Sequence, residues 1–116
     1  MDYSQKEIKR GLIIYVKFSE TTQGTSLQGK ARPAIVVSND KNNAYSTCYT
    51  VIPLSTQEKR MHLPTHCVIT SAPCRSVAYY EQVTTISRSQ VSGIIGKISD
   101  EEMSEVEKGI KAQFAL

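Results

Sequence analysis

The clearest β-strand signal in this chain reads LIIYVKF, at residues 12–18. Successive side chains of a strand point to opposite sides, so every second residue from Leu12 to Phe18 shares one face. That face is apolar throughout, whereas the other face includes Tyr15 and Lys17. The segment therefore predicts a strand with one mainly aliphatic face against a hydrophobic core.

Six further segments have the composition of short strands, because β-branched and aromatic residues are frequent in them. They are residues 34–38, 47–54, 66–70, 76–80, 83–86 and 92–98. Pro33 opens the first of these strands and holds Arg32 before it in an extended conformation. Between the strands, NDKNN at 39–43 has the chemistry of a turn. Residues 19–31 are rich in Thr, Gly, Gln and Ser and are expected to form a long, flexible, functional loop.

The C-terminal part of the chain predicts a helix. Ser99 followed three residues later by Glu102 forms a capping box, and the acidic first turn suits the positive end of the helix dipole. An apolar stripe at helical spacing follows, made of Met103, Val106, Ile110 and Phe114. Many short strands followed by one helix predict a mainly β fold of the α+β class. We expect a small barrel or curled antiparallel sheet with a C-terminal α-helix packed on it.

Length and composition indicate one soluble domain. The chain has 116 residues, of which 40% are hydrophobic and 22% charged, so residues 1–116 are expected to fold as one unit with a flexible N-terminus over 1–8. No run of about 18 apolar residues could span a membrane. Lys17 interrupts the first apolar segment, which is too short for a secretory signal. The three cysteines lack a CxxC pair and are expected to be reduced, which predicts a cytoplasmic protein.

The net charge of +3 is unevenly distributed. Residues 1–99 carry 12 basic and 6 acidic side chains, whereas the part after Ser99 carries 5 acidic and 2 basic ones. A body this positive raises the local concentration of a polyanion such as a nucleic acid. Charge alone is equally typical of a mildly basic soluble domain.

Several groups of residues that could carry chemistry lack the spacing or setting of a known functional site. A zinc site would have to come from His62, His66, Cys67 and Cys74, which lack paired ligand spacing, so no metal is expected. Cys48 alternates with apolar residues and is predicted to be a buried small side chain rather than a nucleophile. The chain has no Gly-rich phosphate-binding motif. On composition alone, Glu81 is more typical of a paired structural carboxylate than of a general base.

A set of short segments, read in order, resembles one known family. The segments are RG at 10–11, GKARPAIVVSND at 29–40, VIPLST at 51–56, LPTH at 63–66, EQVTTI at 81–86 and ISDEEM at 98–103. Together they resemble the MazF/PemK (Kid) family of toxins from type II toxin–antitoxin systems. The resemblance covers nearly the whole chain after Lys9.

The resemblance implies an SH3-like barrel with a C-terminal helix, assembled as a symmetric homodimer. It further implies a sequence-specific endoribonuclease, an mRNA interferase, that cuts single-stranded mRNA without metal or cofactor. The expected products are a 2′,3′-cyclic phosphate and a 5′-hydroxyl end, and the expected partner is an acidic antitoxin. Two alternatives are a CcdB-like toxin that binds DNA gyrase without cutting, for which Arg32 is unnecessary, and a relative that only binds RNA.

The resemblance also assigns residues to the site. Catalysis falls to Arg32 and to Ser55, with Thr56 left open because neighbouring strand residues point to opposite faces. The expected RNA contacts are Gln82, Glu81, Lys30, Phe18 and Gln28. Thr84 stands where the family often has an arginine, so that cation is missing here. The tyrosines considered for base stacking are Tyr15, Tyr45, Tyr49, Tyr79 and Tyr80.

Overall fold

The computed structural model describes residues 7–18, 31–55, 66–69 and 76–116. These residues form seven strands: β1 Leu12–Lys17, β2 Ala31–Val36, β3 Cys48–Ser55, β4 His66–Ile69, β5 Ser76–Tyr79, β6 Thr84–Ser87 and β7 Val91–Lys97. They also form two α-helices, α1 Asp40–Tyr45 and α2 Asp100–Gln113, and two 3₁₀ turns, Tyr80–Gln82 and Arg88–Gln90. In this described part of the chain neither helix is long and apolar enough to cross a bilayer.

The strands form one antiparallel sheet in the order β4-β5-β3-β2-β1-β7, with β6 also paired to β3. One edge of β3 is shared, because its first half pairs with β6 and its last two residues pair with β5. Within the described residues no ladder joins β7 to β4 or β6, so the curl stays open. The prediction of a mainly β fold with a curled antiparallel sheet and a C-terminal helix is confirmed.

Both faces of the sheet are buried, which gives the molecule two hydrophobic cores. The inner core comprises Ile8, Ile14, Val16, Phe18, Ala34, Val36, Tyr49, Val51, Ile86 and Val91. The helix-side core comprises Ile13, Ile35, Ile52, Leu54, Ala78, Tyr80, Ile98 and Val106. The prediction of a single aliphatic face for β1 was therefore incomplete. Ile13 is fully buried as well, because α2 covers the second face of the sheet.

Helix α2 begins as the sequence predicts. The Ser99 hydroxyl accepts a hydrogen bond from Glu102 N at 3.1 Å, and the Glu102 carboxylate accepts one from Ser99 N at 3.4 Å. This reciprocal cap satisfies two backbone N–H groups that a helix start leaves without partners.

The predicted apolar stripe of α2 is confirmed only in part. Val106 is fully buried, and Met103 and Ile110 pack against the helix-side core. Phe114 is 55% exposed, because the helix ends at Gln113 and Phe114 is its C-cap. Its ring lines an open cavity of about 430 Å³ together with Val37 and Ile110.

The segment 39–43 is not the simple turn that was predicted, because it starts helix α1. The Asn39 side chain accepts a hydrogen bond from Asn42 N at 2.8 Å and so caps the helix. Asn43 is buried and donates to the Ser38 carbonyl at 2.9 Å. Asparagine favours both turns and helix caps through the same side-chain bond, so composition alone did not separate the two outcomes.

The Arg10–Gly11 pair joins the start of β1 to the rest of the fold. Gly11 has φ +93°, a conformation that L side chains rarely adopt. Its N–H donates to the Val36 carbonyl at 2.8 Å, and its own carbonyl accepts from Ile98 N at 3.0 Å. The Arg10 guanidinium forms an ion pair with Glu107 of α2 at 2.9 Å. The pair therefore connects β2, β1 and the C-terminal helix.

Candidate active site

Arg32 and Ser55 lie at the same end of the β2–β3 pair. The ladder between β2 and β3 pairs Ala34 with Pro53 and continues in step to the end of β2. Counted two residues beyond the Ala34–Pro53 pair, toward the start of β2 and the end of β3, the same register would place Arg32 opposite Ser55. Opposite residues on neighbouring antiparallel strands share a face, with their Cβ atoms about 4.5–5.5 Å apart. The two residues that the resemblance assigns to catalysis thus lie at the same end of the β2–β3 pair.

The guanidinium of Arg32 carries an unused hydrogen-bond donor. Strand β2 begins at Ala31, before the predicted start at Pro33, so Arg32 lies within the sheet and pairs with Val16 of β1. Its side-chain Nε atom is buried and has no hydrogen-bond partner among the described residues. Leaving a buried donor unsatisfied costs about 1–3 kcal/mol.

Arg10 and Arg32, which lie near opposite ends of β2, differ in their ion pairs and hydrogen bonds. Arg10 binds Glu107 and also donates from Nε to the Val37 carbonyl at 3.1 Å. Arg32, in contrast, makes no ion pair with any residue that the structure describes. A structural salt bridge, the ordinary explanation for a strand arginine, therefore has no support at Arg32 in this part of the chain.

Ser55 is the last residue of β3 and is half-buried. It pairs with Val77 of β5, so it lies between two strands. By strand alternation it shares a face with Tyr49 and Val51 of the inner core. The other candidates in this region, Thr56, Lys30 and Gln28, lie outside the described residues, as does most of the predicted loop 19–31.

Glu81 and Gln82 lie in the 3₁₀ turn Tyr80–Gln82 that connects β5 to β6. Glu81 is exposed and Gln82 is half-buried. The turn stands where the shared edge of β3 changes partner from β6 to β5, beside the middle of β3. The structure thus places Arg32 and Ser55 at the same end of β2 and β3 and holds Glu81 and Gln82 on the segment that connects β5 to β6.

Phe18 does not fit the role of an RNA contact. It is 6% exposed and packs in the inner core. Strand alternation explains this position, because Phe18 follows Val16 by two residues and therefore points to the same side of the sheet. Thr84, which replaces the arginine expected from the family, is half-buried in β6 opposite Val51.

The tyrosines divide into two groups. Tyr49 and Tyr80 are 1% and 2% exposed, so neither ring offers a free face for base stacking. Tyr15 and Tyr45 are exposed, and Tyr79 is intermediate. Stacking on RNA can thus involve only the second group among these five side chains.

Most of the histidines and cysteines considered as metal ligands or nucleophiles lie outside the described side chains. His62 and Cys74 lie outside the described residues, and for His66 and Cys67 the structure describes only the strand. Among the described side chains no three His, Cys, Asp or Glu residues are grouped as metal ligands. Cys48 is half-buried rather than buried as predicted, because it is the first residue of β3.

Sequence comparison identifies relatives over nearly the whole chain. The profile of the family described as "PemK-like, MazF-like toxin of type II toxin-antitoxin system" matches residues 9–114. Endoribonuclease EndoA of Bacillus subtilis (strain 168) is 30% identical over 113 residues, which cover 94% of this chain and 96% of EndoA.

Solved structures with the same fold include toxins at much lower identity. MazF (Form-I) from Deinococcus radiodurans superposes with a TM-score of 0.80 at 18% identity, over 97% of this chain and all of that chain. An endoribonuclease in complex with its cognate antitoxin, from a Mycobacterial species, gives a TM-score of 0.77 at 17% identity, over 94% and 96% of the two chains. At these identities the structures establish the shared fold.

Proposed function

This chain belongs to the family of PemK-like, MazF-like toxins of type II toxin–antitoxin systems, and we propose that it is an endoribonuclease that cleaves single-stranded mRNA at the Arg32–Ser55 site. The observation that carries this proposal is that Arg32, half-buried in β2 at the strand end where Ser55 also lies, makes no ion pair and no hydrogen bond through Nε among the described residues. The homologous EndoA is named as an endoribonuclease. We propose further that the reaction is sequence-specific and needs no metal.

RNA supplies its own nucleophile for this reaction. The ribose 2′-hydroxyl gives up its proton to a proton acceptor such as water and its oxygen attacks the adjacent phosphorus, the bond from phosphorus to the 5′-oxygen breaks, and the leaving oxygen takes up a proton. The products are a 2′,3′-cyclic phosphate and a 5′-hydroxyl end. Negative charge builds up on the phosphate oxygens in the transition state. The enzyme must therefore hold the backbone in line and stabilise that charge.

Arg32 meets the second requirement. A guanidinium is planar and permanently charged, and it donates two parallel hydrogen bonds to a phosphate. The ladder between β1 and β2, which pairs Arg32 with Val16, fixes the backbone of Arg32, so little reorganisation is needed when the phosphate binds. Because a guanidinium keeps its charge in proteins and has no acceptor atom, Arg32 acts as a charge stabiliser and not as the proton acceptor.

Ser55 supplies a second donor on the same face. Its hydroxyl donates a hydrogen bond to a phosphate oxygen while Arg32 holds the others. A preorganised donor of this kind typically contributes about 10²–10³ in rate. Glu81 and Gln82 contact the neighbouring nucleotides, and Gln82 reads a base edge through its amide.

The charge distribution supports two partners. The basic body attracts the RNA backbone, and an acidic segment of a cognate antitoxin blocks the same surface. A Mycobacterial relative was solved in complex with its cognate antitoxin. We propose that the protein acts in the cytoplasm as a homodimer, with RNA bound in a groove at the dimer interface.

The proposal is tested by incubating the purified protein with a long single-stranded RNA in excess EDTA. We expect fragments with 2′,3′-cyclic phosphate and 5′-hydroxyl ends, cut at one short motif. A synthetic RNA with 2′-deoxyribose at the cut site must stay intact, because it lacks the nucleophile. An intact natural RNA, or cleavage only with divalent metal, would contradict the proposal. Co-purification with DNA gyrase and no cleavage would favour the non-enzymatic alternative.

A further inference from the structure

The ring of Tyr80 is packed against the C-terminal helix. Tyr80 is 2% exposed and belongs to the helix-side core. On the helix it faces Gly109, which is buried, and a Cβ added to Gly109 would overlap the Tyr80 ring. Glycine is otherwise unfavourable within a helix relative to alanine. Its presence at this position is explained by the space that the ring requires.

A hydrogen bond fixes the same contact at its far end. The Tyr80 hydroxyl donates to the main-chain carbonyl of Glu105 at 3.3 Å. Glu105 and Gly109 are four residues apart on α2 and therefore lie one above the other on the same face of the helix. The tyrosine is thus held along its whole length by one face of α2.

Tyr80 is also the first residue of the turn that carries Glu81 and Gln82. Val83 N donates to the Tyr80 carbonyl at 3.1 Å and closes this turn. Val83 packs against the helix-side core, as Tyr80 does. Glu81 and Gln82 therefore stand between two anchored residues, and the stronger anchor is attached to α2.

We propose that Tyr80 is a positioning residue, through which helix α2 sets the place of Gln82 on bound RNA. This inference rests on the proposed function, because it needs Gln82 to contact RNA. It gives the C-terminal helix a role in recognition although α2 carries none of the candidate catalytic residues. Tyr80 itself is buried and touches no RNA.

The test compares Tyr80→Phe with Tyr49→Phe as a matched control. Both substitutions remove one hydroxyl from a buried tyrosine that makes a hydrogen bond; in Tyr49 the partner is Arg88 Nε at 3.1 Å. We expect Tyr80→Phe to raise the RNA concentration at half-maximal single-turnover rate roughly two- to tenfold, the range of one lost hydrogen bond. The maximal rate should stay within about twofold. Tyr49→Phe should lower thermal stability but leave both kinetic values unchanged.

A double-mutant cycle with Gln82→Ala shows whether Tyr80 acts through Gln82. We expect Tyr80→Phe to have no further effect on half-saturation in the Gln82→Ala background, since the two residues form one unit. Independent, multiplying effects would overturn the inference. An unchanged RNA concentration at half-maximal rate in Tyr80→Phe alone would also overturn the inference. A residue with only a structural role would lower stability without changing that concentration.

Two additions keep the outcomes separate. Gly109→Ala, which pushes the ring aside, should raise half-saturation at least as much as Tyr80→Phe; if it fails to fold, the two tyrosine variants still decide. The affinity for a synthetic single-stranded RNA is also measured by direct titration. A wild-type protein that does not cleave contradicts the proposed function, whereas the affinity ratio between Tyr80→Phe and wild type still decides the inference.

Discussion

Arg32 of β2 and Ser55 of β3 lie at the same end of two neighbouring antiparallel strands, each two residues beyond the Ala34–Pro53 pair, and the buried Nε of Arg32 has no hydrogen-bond partner within the described residues. Arg32 pairs with Val16 of β1 and Ser55 pairs with Val77 of β5, so a ladder holds each backbone in place. A pair of donors fixed in this way stabilises developing charge without reorganisation.

Replacing the hydroxyl next to Arg32 should slow cleavage. We expect Ser55→Ala to lower the single-turnover cleavage rate by about 10²–10³, because it removes one preorganised donor to the phosphate. The measurement is the rate at saturating RNA in EDTA. Ser104→Ala, an exposed position on α2, serves as the matched control and should cleave like wild type. A normal rate for Ser55→Ala together with a slow Thr56→Ala would move the role to Thr56.

The positive φ of Gly11 makes a stability prediction. Gly11→Ala should lower the free energy of unfolding by about 1–2 kcal/mol, because an L residue is strained at φ +93°. The added methyl group has room, since the nearest atom, on Met103, is 3.6 Å away. Urea unfolding measures the change. Unaltered stability would show that this junction tolerates side chains and that the strain argument is wrong.

At the end of α2 we expect a substitution by glycine to raise stability. Ala115 has φ +57°, the left-handed conformation in which glycine commonly ends a helix. Ala115→Gly should raise the free energy of unfolding by up to about 1 kcal/mol, because the strain of the alanine is removed. A shift of a few degrees in the unfolding temperature is sufficient to detect it. A lower unfolding temperature would instead mean that the flexibility of glycine in the unfolded chain outweighs the relief of strain.

Binding of an acidic antitoxin should weaken as salt rises. The body up to Ser99 carries six more basic than acidic side chains, so its attraction to an acidic segment is screened by added ions. Titrations with the cognate antitoxin peptide between low and high salt measure the effect. Binding to single-stranded RNA should show the same trend, with a slope set by the number of phosphates contacted. Affinities that do not change with salt would exclude an electrostatic mechanism.

The local features of this fold could be predicted from the sequence because short-range physics determines them. The alternation around Ile14 and the cap formed by Ser99 and Glu102 both appear as expected. Helix α1 was missed because the Asn39 side chain bonds its neighbours equally well in a turn and at a helix start. The burial of Ile13 was missed because it depends on α2, which lies far along the chain.

The candidate site shows the same limit. The resemblance named Arg32 and Ser55, but their place at one end of β2 and β3 depends on how these strands pair, which no local pattern contains. The same holds for the lack of a hydrogen-bond partner at Arg32 Nε among the described residues. Phe18 was expected at the RNA and is instead buried, because strand alternation continues past the end of β1 into the inner core. The role of Gly109 could not be foreseen either, since it arises from contact with Tyr80 across the fold.

The most direct test of the account is the single-turnover cleavage rate of Arg32→Ala on single-stranded RNA in excess EDTA. We expect a loss of about 10²–10³ or more, with Arg32→Lys intermediate, because lysine keeps the charge but not the planar pair of donors. Lys41→Ala, which removes an exposed positive charge on α1, controls for general electrostatics and should leave the rate unchanged. An Arg32→Ala protein that is folded and cleaves at the wild-type rate would contradict the account.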